Sequence, residues 1–267
     1  MKDRVALREL PEYLLEHGKH FATVAELCRL TGGDAHAVTV GMARLRAKGR
    51  VFSPAKGLHV VIPPEYRQWG APPALDFIHP MMTTLKRDYY VSMLSAAELH
   101  GAAHQHPQVL QVMVGRHVPD RDFGRSRIRF FLGRHVTQVG VVMKNSNSGV
   151  VQVSSPEVTA LDLATRPGDC GGVSNVATVI AELSTGVGLE PLRIVEAARC
   201  YPAAALRRLG WLLEFVEAPF DLGLLEKRMN EHSTHRASTL LDPSGPRRGM
   251  SSRRWGLVEN VTVEPDL

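Results

Sequence analysis

The chain has 267 residues, 44% hydrophobic and 22% charged, an ordinary globular balance that excludes a disordered protein. That length exceeds one small module and suits a small head with a larger body, domains usually running to about 100–200 residues. Net charge is +5, the N-terminus MKDRVALREL has charges where a signal peptide needs an apolar core, and no run approaches about 18 uninterrupted apolar residues, so a cytoplasmic protein without membrane contact is expected.

Leu7, Leu10, Leu14 and Leu15 share one helical stripe, predicting a helix over Leu7 to Glu16 that stops at His17-Gly18. Thr23 and Glu26 form a capping-box pair for a second helix, Val24 to about Leu30, ended by Thr31-Gly32-Gly33. Asp34 caps a third, roughly Ala35 to Lys48, whose Val38, Met42 and Leu45 make the inward stripe. Two β-rich runs, Arg50 to Ser53 and Leu58 to Ile62, are separated by Pro54-Ala55-Lys56-Gly57 and read as a hairpin closed by Pro63-Pro64. Helix, helix, helix and hairpin in residues 1–66 is the order of a winged helix-turn-helix.

Charge supports a polyanion partner for this head. Residues 1–70 hold 11 Lys/Arg against 7 Asp/Glu, while the remaining 197 hold 21 against 20, so the basic surplus is local. The third helix is the element whose width fits the major groove of double-stranded DNA. With Val38, Met42 and Leu45 turned inward, His36, Thr39 and Arg44 are the candidates for base edges, and Val40 and Ala43 for a thymine methyl. Arg46, Lys48, Arg50, Lys56 on the wing tip and His59 are the candidates for phosphates. The same helix face could instead be merely solvated, and a winged helix can also serve as a protein-docking module.

The stretch IPPEYRQWGAPPAL has four prolines and no sustained periodicity, marking a linker over residues 67–75. The body, residues 76–267, opens with a helical pattern from Asp76 to Leu85 and a second one carrying Val91, Leu94, Ala97 and Leu99. Strand-like runs follow at Val109 to Val114, Ile128 to Leu132, Val136 to Met143 and Gly149 to Ser154. Ser155-Pro156-Glu157 then has the chemistry of a helix start, ahead of a helix to Ala164. Helices are expected at about 173–184, 189–199, 202–217 and 221–230, so the fold class is α+β with a helical C-terminal part. Residues 233–254 are rich in Ser, Arg, Pro and Gly and hold Arg247, Arg248, Arg253 and Arg254, either a second nucleic-acid contact or a solvated loop, before a last strand-like piece from Gly256 to Val263.

Catalytic signals are weak. Cys28, Cys170 and Cys200 form no CxxC pair and read as thiols without a disulfide framework or zinc ribbon. His100, His104 and His106 have a spacing that could reach one metal ion, but no nearby carboxylate completes the set and Gly101 breaks the geometry, so no metal site or cofactor is expected. No GxSxG, Walker-type loop or HExxH occurs. Glu157 and Asp162 could belong to a nuclease-like site that uses magnesium, yet at i and i+5 they lie on different helix faces. No enzymatic function is expected. A ligand-sensing transcription factor is a further alternative, and it needs a pocket that the sequence does not define.

The segments AELCRLTGGDAHAVTVGMARLRAKGRV, KGLHVVIPPEY, YYVSMLSAAELHGAAHQHP, VQVSSPEVTALDLATRP with the GG after it, and ALRRLGWLLE, in this order, resemble the AbiEi-like antitoxins of type IV toxin–antitoxin systems. The resemblance spans most of residues 20 to 216. It implies a transcriptional repressor that binds its own promoter and opposes a toxin of nucleotidyltransferase type. In the body its signature falls on Ser155, Pro156, Glu157, Asp162, Arg207, Arg208 and Leu209. Whether these positions hold the fold or face the toxin is left open by the resemblance.

Overall fold

The computed structural model describes residues 4–102, 107–231 and 239–266. Local signals start the fold. A 3-10 turn at Leu7–Glu9 runs into α1 (Leu10–Glu16), with Pro11 in the first turn, where the missing N–H has no intrahelical partner to lose. After β1 (Phe21–Thr23), a complete capping box opens α2 (Val24–Thr31): Thr23 Oγ1 accepts the Glu26 N–H, and the Glu26 carboxylate accepts the Thr23 N–H at 2.8 Å. Gly32 ends α2 at φ 68°, a left-handed conformation that suits glycine. The Asp34 carboxylate accepts from the Ala37 N–H at 2.7 Å and caps α3 (Ala35–Ala47). Strands β2 (Val51–Ala55) and β3 (Leu58–Val61) are antiparallel and join β1 in the order β1-β3-β2. Leu10, Leu14, Leu27, Val38, Met42, Leu45 and Val61 fill the core between these elements.

The rest is mixed α+β. The proline-rich stretch holds a 3-10 turn, Pro64–Trp69, followed by α4 (Ala74–Leu85), β4 (Tyr89–Val91), α5 (Met93–Leu99), β5 (Leu110–Val114), β6 (Arg121–Phe123), β7 (Ser126–Leu132), β8 (Val141–Ser146) and β9 (Gly149–Ser154). Then come α6 (Pro156–Thr165), α7 (Gly172–Glu182), α8 (Pro191–Ala197), α9 (Ala203–Phe215), α10 (Gly223–Glu231), and the short strands β10 (Thr239–Leu240), β11 (Met250–Ser252) and β12 (Leu257–Glu259). One sheet has six strands in the order β6-β7-β5-β4-β9-β8, and a small one has the order β10-β12-β11. Among the described residues no helix is long and apolar enough to cross a membrane.

Contacts divide the chain into two units of non-consecutive segments. The first comprises Met1–Tyr89, Gln108–Gly133 and Met143–Gln152; the second comprises Tyr90–Pro107, Arg134–Val142 and Val153–Leu267. In the first unit α4 packs on β2 and β3 of the hairpin and on β7. Phe52 of β2, Phe77 of α4 and Phe123 of β6 form one ring cluster, with centroids 5.0, 5.3 and 5.7 Å apart and two of the three contacts edge-on. The stretch after the hairpin is tied down too. Trp69 O accepts the Arg125 N–H at 3.0 Å, Pro72 O accepts the Ser126 hydroxyl at 2.6 Å, and a Cβ at Gly124 would collide with Trp69 O.

In the second unit α6 lies at the centre, packed against α5 and α9, and is buried from Glu157 through Ala164. Ser155 caps it through the Val158 N–H, with Pro156 at the first position. The last part of the chain is bolted to α9. Trp255 is fully buried against Gly210, where a Cβ would overlap its indole, and its Nε1–H donates to Glu214 at 2.6 Å. The Trp211 Nε1–H donates to Glu259 of β12 at 2.9 Å.

Three details depart from the periodicity reading. The strand expected from Val136 starts at Val141, because His135 and Gln138 close a turn through side chains 3.0 Å apart and a backbone bond of 2.9 Å. Tyr89–Val91 is extended, with Val91 paired in parallel with Val153, and the helix begins only after Ser92. The final strand is confined to Leu257–Glu259.

Replacing Phe77, which is fully buried, removes the middle of the aromatic cluster. Phe77→Ala is expected to cost about 3–5 kcal/mol of unfolding free energy. Hydrogen exchange should speed up together at β2 and β6; acceleration confined to α4 would show that the cluster does not couple them.

Candidate nucleic-acid interface

The face of α3 opposite its core stripe is open. His36, Thr39, Val40, Ala43, Arg44 and Arg46 are exposed, while Val38, Met42 and Leu45 are at most 6% exposed. Lys48 just after the helix and Lys56 in the hairpin turn are exposed as well. Among the described residues none of Arg44, Arg46, Lys48 and Lys56 has an acidic partner. Thr39 donates its hydroxyl proton to Ala35 O at 2.7 Å, so its outward capacity is an acceptor and a methyl group.

Two sequence candidates have other engagements. Arg50 is half-buried and ion-paired with Glu12, and its Nε is buried with no hydrogen-bond partner among the described residues. His59 is half-buried with Nδ1 hydrogen-bonded to Ser53 Oγ at 3.0 Å; burial first, and then the charge of Arg46, hold its pKa below the usual histidine value. His59 is therefore a neutral group at pH 7, unlike Arg44, Arg46, Lys48 and Lys56.

The body signature lies inside the second unit. Ser155 caps α6 and donates its hydroxyl proton to the Glu157 carboxylate at 2.9 Å. Arg207 is buried and donates to the carbonyls of Trp255 and Gly256 at 3.1 and 3.0 Å. Arg208 Nε–H donates to Leu240 O at 2.8 Å, and its guanidinium also reaches Ala164 O at 3.4 Å. Both arginines hold the small terminal sheet to α9. Of the C-terminal basic cluster, Arg247, Arg248 and Arg253 are exposed, whereas Arg254 is ion-paired with Glu214 and Glu226 and lies over the Trp255 ring. His100 donates a ring N–H to Ser154 O at 2.7 Å; His104 and His106 lie outside the described residues.

Asp162, a signature position and one of the two carboxylates considered for a nuclease-like site, is a buried polar node. It accepts from the Ser92 hydroxyl and the Tyr201 phenol, each at 2.7 Å, and from Tyr90. Burial pushes its pKa up to about 6, against the pull of these hydroxyls and of Arg166. Burial and the neighbouring carboxylate push the Tyr90 and Tyr201 phenols far up, and burial does the same to the Cys170 thiol. Glu157 and Asp162 thus have separate internal partners and do not converge on a shared opening.

Residues 90–215 match the family model for the AbiEi antitoxin C-terminal domain. That stretch is similar to the AbiEi antitoxin C-terminal domain. The matched stretch spans Tyr90, Ser92, Asp162, Tyr201 and both signature arginines, and it ends at the last residue of α9. No curated protein matches the chain. The chain is similar in fold to the solved structure of the RV2827C protein from Mycobacterium tuberculosis, at a TM-score of 0.70 and 15% identity over 96% of this chain and 92% of that one.

The raised Asp162 pKa gives the second unit a defined pH response. A folded carboxyl with a pKa near 6 binds its proton more tightly than the unfolded one near 3.9, so its contribution to stability falls as pH rises between those values. The native state then holds a desolvated charge at neutral pH, at a cost of roughly 3 kcal/mol. Asp162→Asn should flatten this component, the stability difference between variant and parent shifting in the variant's favour from pH 4 to pH 7 in denaturant titrations. A difference that stays constant over that range would show that Asp162 does not titrate there.

Proposed function

We propose that the protein is a DNA-binding antitoxin-type repressor whose first 66 residues act as a winged helix-turn-helix. The observation that carries this reading is the open face of α3, where groups suited to base edges, Arg44 among them, stand with Arg46, Lys48 and Lys56, none of these cations having an acidic partner among the described residues. In such a motif the helix enters the major groove and the wing follows the backbone. His36 and Arg44 are the base-edge donors, Thr39 supplies an acceptor, and Val40 and Ala43 offer apolar contacts to thymine. Arg46, Lys48 and Lys56 meet phosphates, whose release of counterions supplies affinity without sequence choice. Arg50 serves the head's stability through Glu12, and His59 is at most an uncharged donor.

The AbiEi family match supports the antitoxin role, with the protein's own promoter as the DNA target and a nucleotidyltransferase-type toxin as the activity opposed. A cytoplasmic location follows from that role. Because Ser155, Glu157, Asp162, Arg207 and Arg208 serve internal bonds, a surface that meets a partner must use other residues of the second unit.

Binding of the full chain to its upstream DNA and to a scrambled duplex, measured across a salt series, tests the reading. Lys56→Ala should lower the slope of log affinity against log salt by about one while preserving selectivity. Arg44→Ala should cost about 1–3 kcal/mol and relax the preference for the upstream duplex. Equal, feeble binding of the parent protein to both duplexes would sink the repressor reading and leave the head as a protein-docking module.

A further inference from the structure

The first unit contains a cavity of about 430 Å³ that DNA reading does not use. Its volume falls in the range of small-molecule sites, roughly 300–1,000 Å³, which combine apolar walls with a few convergent polar groups. Phe21 of β1, Leu58 of β3 and Pro80 of α4 supply the apolar wall. The polar lining comes from α2 and its cap on one side and from α4 on the other.

Several of these polar groups are already satisfied. Thr23 and Glu26 bind each other in the α2 capping box, one Glu26 oxygen taking both the backbone N–H and the hydroxyl of Thr23 at 2.8 Å. Those bonds hold the Glu26 carboxyl below its usual pKa range. Thr84 donates to Pro80 O at 2.8 Å, and His79 Nδ1 is hydrogen-bonded to the Tyr89 hydroxyl at 3.1 Å. Among the described residues the lining groups without a hydrogen-bond partner are the Arg29 guanidinium, which Glu26 attracts electrostatically, the Thr83 hydroxyl, the second ring nitrogen of His79 and the second carboxylate oxygen of Glu26. A guanidinium that makes no hydrogen bond, with neutral hydrogen-bonding groups beside it over an apolar wall, is the complement of a carboxylate on an apolar body. The negative charge of Glu26 on the same wall selects against dianions such as phosphate.

We propose that this cavity binds a small monocarboxylate with a compact apolar body, its carboxylate on Arg29 and Thr83 and its body against Phe21, Leu58 and Pro80. Arg29 lies in the last turn of α2, which packs directly on α3, so an occupant bears on the DNA-reading helix. That consequence rests on the DNA-binding reading, whereas the binding itself does not.

Benzoate and phenylacetate are suitable probes, with benzamide and inorganic phosphate as controls, titrated calorimetrically into the full chain and its Arg29→Gln and Thr83→Val variants. Both substitutions are at exposed positions and should leave the melting temperature of the empty protein unchanged. At least one carboxylate should bind saturably at one site, about tenfold or more weaker in Arg29→Gln, while benzamide and phosphate do not compete. Failure of both carboxylates to bind, equal binding of benzamide, or binding indifferent to Arg29→Gln would each overturn the proposal. Carboxylate binding that leaves affinity for upstream DNA unchanged supports the site and breaks only its link to α3.

Discussion

The first unit depends on the contact of three phenylalanines from distant parts of the chain. Phe52 lies on the hairpin, Phe77 in α4 and Phe123 on β6, and no two are closer in sequence than 25 positions. Their rings tie the hairpin to α4 and β6 through one apolar contact separate from the core that α1 to α3 share with Val61. Once the cluster forms, Trp69, Pro72 and Gly124 fix the stretch that follows the hairpin, and the open face of α3 is presented by a supported element. A preorganised surface of this kind spends less binding energy on ordering itself.

The second unit is organised differently. A helix buried on nearly all sides, α6, carries a carboxyl with three hydroxyls around it, and the terminal sheet is fastened to α9 by Arg207, Arg208 and Trp255. Burial makes this node costly when ionised, so its hydroxyl partners and precise packing are required together. The residues through which the AbiEi resemblance is read in the body are therefore mostly the ones that keep the unit folded. A family can be recognised by its interior without that interior marking the surface it presents to a partner.

Much of the head was legible in the sequence because its signals are local. Thr23 with Glu26, Asp34 before α3, and Val38, Met42 and Leu45 at helical spacing each work within one or two turns. The short strands β1, β4 and β6 were not legible, since three residues are too few to show alternation and they exist through long-range pairing such as Val91 with Val153. The onset of β8 was displaced by a side-chain turn between His135 and Gln138, which hydropathy does not register. Among the candidate interface residues, sequence separated the buried stripe from the open face of α3, but the partnership of Arg50 with Glu12 and the burial of His59 needed the tertiary structure. The cavity was hidden for the same reason, its walls coming from α2 and α4, some fifty positions apart.

The central claim is that α3 lies in the major groove of the protein's own upstream DNA. Guanine N7 is exposed only in that groove, which makes methylation interference on this duplex the most direct measurement. The account predicts that N7-methylated guanines within one short segment are excluded from the bound fraction and that Arg44→Ala restores some of them. Bound DNA with no excluded guanine, or the same pattern with and without Arg44, would contradict it.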